Sequence, residues 1–163
     1  MPEITSIPLP LPPTMRKPWV LYEGGMNQCY AVYRAEPYED GRCVIFTFRT
    51  CAAVRHRHVA LESQDDYLSQ LPKNSISRMT DSSLLRELST GFGVSLALAD
   101  FAITWASMKH YAIRIGYPGV CDIIASGFDS EICEGDEAAA IRRCMEISRE
   151  DGAEIDRFWA IAS

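Results

Sequence analysis

The chain has 163 residues, 47% of them hydrophobic and 23% charged, with a net charge of −6. That is the size and make-up of one globular domain, and it excludes a wholly disordered chain. The excess of carboxylates also argues against a general nucleic-acid binder, because phosphate contacts need a positive field.

The first element is an N-terminal arm, residues 1–18, which holds six of the nine prolines. Its PLPLPP run predicts an extended, polyproline-like conformation with Leu9 and Leu11 packed on the chain's own domain, residues 19–163. Prolines interrupt what would be the apolar stretch of a signal peptide. A cytoplasmic setting with reduced thiols is therefore expected for the six cysteines, whose spacing contains no Cys-x-x-Cys.

PWVLY (18–22) predicts a strand and GGMN a turn. QCYAVYRAE alternates apolar and polar residues, PYEDGR carries an Asp-Gly turn signal, and CVIFTFRTCAAV follows as a strand. Pairing Glu36 with Arg42 sets Val32 opposite Phe46, Tyr30 opposite Phe48 and Tyr33 opposite Ile45, which predicts a hairpin with matched apolar partners. Continued alternation through VRHRHV places Arg55 and Arg57 on one face, His56 and His58 on the other. ESQDDYLSQL predicts a short helix ended by Pro72, and KNSISRMT a loop.

Asp81 is the expected N-cap of a helix beginning SSLLREL, with TGFG breaking or bending it. A second helix is predicted over 94–113, apolar almost all round apart from a stripe of Asp100, Thr104, Ser107 and Tyr111. It is too short and too polar for a convincing membrane span. VCDIIAS predicts a short strand added to the hairpin sheet, and GFDSEICEGD an acidic loop. Asp136 caps a helix ended by Gly152, and AEIDRFWAIA forms a last short helix. Strands early and helices late predict an α+β fold. Its expected architecture is a small antiparallel sheet of three to four strands packed against the long central helix, with C-terminal helices.

Candidate chemistry is sparse. His56 and His58 could face one metal, but no third ligand is offered, and Arg55 and Arg57 would repel a cation. No metal or cofactor is therefore assigned. A calcium loop started at Asp129 fails at Cys133 and Glu134, where oxygen and glycine are needed. TGFGVS lacks the third glycine and the preceding strand of a dinucleotide loop. Cys29 with His56 or His58 would make a thiol hydrolase or transferase, with Gln28 near the oxyanion, although Cys29 falls in a strand and not at a helix N-terminus.

Charge is segregated. Residues 120–156 hold eleven acids and three bases, a local net of −8, whereas residues 1–119 come to +1. The reading that follows is a small cytosolic binding factor of inhibitor or immunity type, more a binder than an enzyme. Asp122, Asp129, Glu131, Glu134, Asp136 and Glu137 would cover a basic surface on a partner protein, such as a nuclease or other nucleic-acid-binding protein. Neither nucleic acid nor membrane is expected as a direct partner, and the 94–113 helix could join two copies into a homodimer.

Overall fold

The computed structural model describes residues 2–14, 16, 19–23, 28–58, 70–92, 105–115 and 119–162. The described strands are β1 (Ile4–Ile7), β2 (Val20–Glu23), β3 (Cys29–Arg34), β4 (Arg42–Arg49), β5 (Ala53–His58), β6 (Ser75–Met79), β7 (Lys109–Arg114), β8 (Gly119–Ala125) and β9 (Gly127–Glu134). The helices among the described residues are α1 (Ser83–Phe92) and α2 (Glu137–Ala162). The strands make two sheets, ordered β1-β6-β7-β8-β5 and β2-β3-β4-β9. The chain divides into two compact units, residues 1–9 with 50–127 and residues 10–49 with 128–163.

This corrects the expected small sheet against a long central helix. Of the predicted 94–113 helix, residues 94–104 lie outside the described residues, and Lys109–Arg114 is strand β7. Tyr111, Ala112 and Ile113 are all buried there. A strand buried on both faces reads as a continuous apolar run, which periodicity alone does not separate from a buried helix. The homodimer face drawn on that helix loses its element from 105 onward. The predicted helix over ESQDDYLSQL lies, up to 69, outside the described residues.

In the first unit, every strand pairing is antiparallel. β6 was expected to be loop, and β8 was expected in the hairpin sheet. β8 pairs instead with β5 and β7, setting Arg55 opposite Asp122 and Ala112 opposite Asp122 on its two sides. One face of this sheet carries Leu71, Met79, Ala112, Val120 and Ile4 in a common apolar cluster.

In the second unit the predicted hairpin forms, with its register moved by one residue. Val32 stands opposite Ile45, Tyr30 opposite Thr47 and Cys29 opposite Phe48. A one-residue slip normally turns an apolar face to water. Here β3 from Cys29 to Tyr33 and β4 from Cys43 to Phe48 are buried on both faces, so side-chain pattern did not discriminate. The turn decides: a single 3-10 turn at Tyr38–Asp40 ends at Gly41 with φ 64°, and the Ala35 amide donates to the Arg42 carbonyl.

One face of this sheet stacks Tyr33, Phe46, Phe48 and Phe128. The other places Tyr30, Val32, Cys43 and Ile45 under Ala140 and Cys144 of α2. The proline arm is held here too. The Tyr33 hydroxyl donates to the Leu11 carbonyl, and Pro13 bridges to Ala35. β9, read from sequence as a loop, is the last strand of this sheet. α2 runs on through Gly152, where the sequence predicted a stop.

The predicted strand through 43–58 is broken at Thr50, whose φ of 50° is rare for a β-branched residue. β4 on one side and β5 on the other belong to different sheets.

Candidate functional site

Five of the six acids singled out in the sequence lie on one strand, turn and helix start. β9 carries Asp129, Glu131 and Glu134, the turn Asp136, and the first residue of α2 is Glu137. Residues 127–137 contain five acids and no base. Strand alternation places Asp129, Glu131 and Cys133 on the face toward α2, where Cys133 packs on its cluster. Phe128, Ser130, Ile132 and Glu134 share the opposite face.

The turn is built by Gly135. Its φ of 113° is a conformation L side chains rarely adopt, and a Cβ there would come 2.8 Å from the Ala139 Cβ. The Gly135 amide donates to the Gly41 carbonyl at 2.7 Å, tying this turn to the end of the hairpin. Arg34 reinforces the tie, donating to the Gly135 and Tyr38 carbonyls at 3.2 Å each, with its guanidinium over the Tyr38 ring. Asp136 caps α2 as expected, accepting the Ala139 amide at 3.0 Å. Such a cap is worth about 1 kcal/mol.

The acids differ in how far they are engaged. Asp129 pairs with Arg49, and Glu131 takes the Arg143 guanidinium at 2.7 and 3.3 Å. Glu137 lies 3.9 Å from Arg34. Among the described residues, no ion pair neutralises Glu134 or Asp136, and both are exposed. Ile132 is 46% exposed, one of the large apolar side chains facing solvent. β9 ends its sheet, so one row of its backbone N–H and C=O groups faces away from the pairing.

Asp122, the sixth acid, is elsewhere. It is 1% exposed in the first unit and belongs to no surface. Its Oδ2 accepts the Arg57 Nε at 2.6 Å, and its Oδ1 accepts the Arg57 Nη2 at 3.0 Å and the His110 Nε2 at 2.8 Å. Arg55 adds a longer contact at 3.4 Å. The register explains this arrangement. Arg55 stands directly opposite Asp122, while Arg57 and His110 stand opposite Val120 and Ile124, each one diagonal step from it. Burial by itself raises the Asp122 pKa, but the hydrogen bond and charge of His110 and the charge of Arg57 outweigh it and hold the carboxyl below the usual range.

An ionised carboxylate can only accept hydrogen bonds. His110 Nε2 therefore carries a hydrogen, and in the neutral ring Nδ1 is the acceptor. The Ser82 hydroxyl lies 2.5 Å from that nitrogen. Ser82 also accepts the Leu85 amide at 3.2 Å, which makes it, and not Asp81, the side-chain cap of α1. Met79 is the register partner of His110. The chain leaves β6 there and turns at Asp81 with φ 51°, and this brings Ser82 over the imidazole. The sequence does not single out Ser82 or His110, and it presents Arg57 only as a strand-face charge that would repel a cation. The available signal was Asp122 itself, a charge inside the apolar run VCDIIA, which must find a partner.

The residues of the thiol reading fall in different units. Cys29 is 1% exposed in β3 of the second unit, whereas His56 sits on β5 of the first; of His58 only the backbone is described. All six cysteines stand as thiols. Burial pushes Cys121 up to about 12 and Cys144 up to about 11. Cys144 also lines a cavity of about 460 Å³ with Tyr22, Tyr30, Ile141 and Met145, and its raised pKa keeps that thiol protonated near neutral pH. Iodoacetamide at pH 8 is expected to modify Cys29, Cys43, Cys121 and Cys144 at least tenfold more slowly in the native chain than in urea, read by mass spectrometry. Rapid native modification of Cys29 would restore it as a nucleophile.

Among the described residues, no group of three His, Cys, Asp or Glu side chains could hold a metal ion, and no helix is long and apolar enough to cross a membrane. Comparison with known proteins finds no matching family model, no matching curated protein and no matching solved structure.

Proposed function

We propose that the chain is a protein-binding factor that captures a basic, extended segment of a partner along β9. The observation that supports this is the coincidence of five carboxylates and no base over residues 127–137 with the terminal position of β9 in its sheet. An added strand gains main-chain hydrogen bonds from the edge, and side-chain preference comes from the alternating faces. Asp129 on one face and Glu134 on the other, both exposed, favour lysine or arginine, and Ile132 beside Glu134 favours an apolar neighbour. Basic segments of this kind occur on nucleic-acid-binding proteins, which suits the role of an inhibitor that masks such a surface.

A fluorescein-labelled ten-residue peptide alternating lysine and valine is the direct probe. Its anisotropy is expected to rise on titration with the chain at 50 mM salt, and the affinity to fall several-fold at 300 mM. A peptide alternating glutamate and valine is expected not to bind. Equal binding of both peptides, or of neither, contradicts the proposal.

A further inference from the structure

Independently of the binding edge, the first unit contains an arrangement of groups that β9 does not use. Ser82 Oγ is 2.5 Å from His110 Nδ1, and His110 Nε2 is 2.8 Å from Asp122 Oδ1. This is a hydroxyl, a base and a carboxylate that orients the base, in hydrogen-bonded sequence. The order of groups is that by which a serine becomes a nucleophile, recognised by roles and not by chain order, with the two imidazole nitrogens exchanged: here Nδ1 faces the hydroxyl and Nε2 the carboxylate. Arg57 holds the carboxylate in place through two contacts, and that carboxylate keeps a hydrogen on His110 Nε2, so that in the neutral ring the Nδ1 lone pair lies toward Ser82. The residue before the serine, Asp81, has the unusual φ of 51°. Strain of this kind next to a reactive group is a recurrent feature of functional sites.

We infer that Ser82, His110 and Asp122 form an acyl-transfer centre that hydrolyses small esters. The Ser82 hydroxyl gives its proton to His110 Nδ1 while Oγ bonds to the ester carbonyl carbon. The bond from that carbon to the alkoxy oxygen then breaks, and the departing alkoxide takes the proton from Nδ1. Water attacks the acyl-serine in the same way, its proton passing to Nδ1 and then to Ser82 Oγ as the carboxylic acid leaves. Asp122 acts through His110 as a positioning residue. Ser82 is 6% exposed, but Thr80, Asp81 and Ser83 around it are exposed. It therefore lies one layer below solvent, which restricts the acyl group to a short one.

The test is covalent capture of the native chain by a small alkyl fluorophosphonate, where the Ser82 Oγ–P bond forms and fluoride leaves. Tandem mass spectrometry is expected to place the adduct on Ser82, at least a hundredfold faster than on the other serines. In urea that preference is expected to vanish. Asp122→Asn is expected to slow native labelling at least tenfold and to change its pH profile, because the amide can hold the opposite tautomer. Absence of an adduct on Ser82 in the native chain, or labelling at the same rate in native and unfolded chain, overturns the inference.

Discussion

Replacement of Asp122 by alanine is expected to lower the unfolding free energy by about 3–5 kcal/mol, the range for removing one partner of a buried ion pair. Arg57, 4% exposed, and His110, 1% exposed, would each lose their carboxylate away from the surface. A urea midpoint measured with the wild-type slope reads the loss directly. The pH dependence has a definite sign. The carboxyl titrates below its ordinary value in the folded chain. Its contribution is therefore complete above the unfolded-state pKa of about 3.9 and is lost as pH falls through the lower folded value. The acid limb of wild-type unfolding should accordingly begin below about pH 4, and Asp122→Asn should flatten that limb. An Asp122→Ala variant within about 1 kcal/mol of wild type would mean that the network contributes little beyond a hydrophobic replacement.

The same residue shows what was legible in the sequence and what was not. Asp122 was counted with the acids around it because local charge is visible in one dimension, while burial is a property of the sheet. β8 places it between Arg55 and Ala112; nothing in VCDIIAS names those partners. Strands with one turn between them were readable. β3 and β4 paired as expected, since aromatic and branched residues run on both sides of a turn signal. The register slipped by one because both faces are buried, and the turn geometry had the deciding vote.

β7 reads as the end of a helix for a related reason. HYAI is apolar whichever period is imposed on it. Ser75–Met79 and Gly127–Glu134 read as loops because serine, glycine and acids dominate them, yet strand pairing with neighbours overrides such propensities. The acid row survived the change of element. Moving from loop to edge strand gave Asp129, Glu131 and Glu134 a defined alternation and supplied a backbone edge that a loop would lack. The catalytic-type cluster was out of reach: Ser82, His110 and Asp122 come from three elements, and a serine beginning a helix reads as a cap, which it also is.

Reversing two exposed acids, Asp129→Lys with Glu134→Lys, is the second large expected effect. Neither carboxylate contributes to the apolar core or caps a helix, so circular dichroism and the urea midpoint should stay near wild type. Each exposed ion pair with a bound peptide is worth about 0.5 kcal/mol, and reversal replaces each attraction by a repulsion of similar size. The double variant should therefore lose about 2 kcal/mol, or roughly thirtyfold, in affinity for the lysine–valine peptide. Screening by salt acts on the same terms, so the variant should also lose most of its dependence on ionic strength.

The most direct measurement is therefore the dissociation constant of that peptide for wild-type and doubly reversed chain, each at 50 and 300 mM salt. A wild-type affinity that weakens with salt, together with a folded variant that binds roughly thirtyfold more weakly at 50 mM, is the expected result. A folded variant that binds as tightly as wild type at both salt concentrations would contradict recognition through the acidic edge of β9.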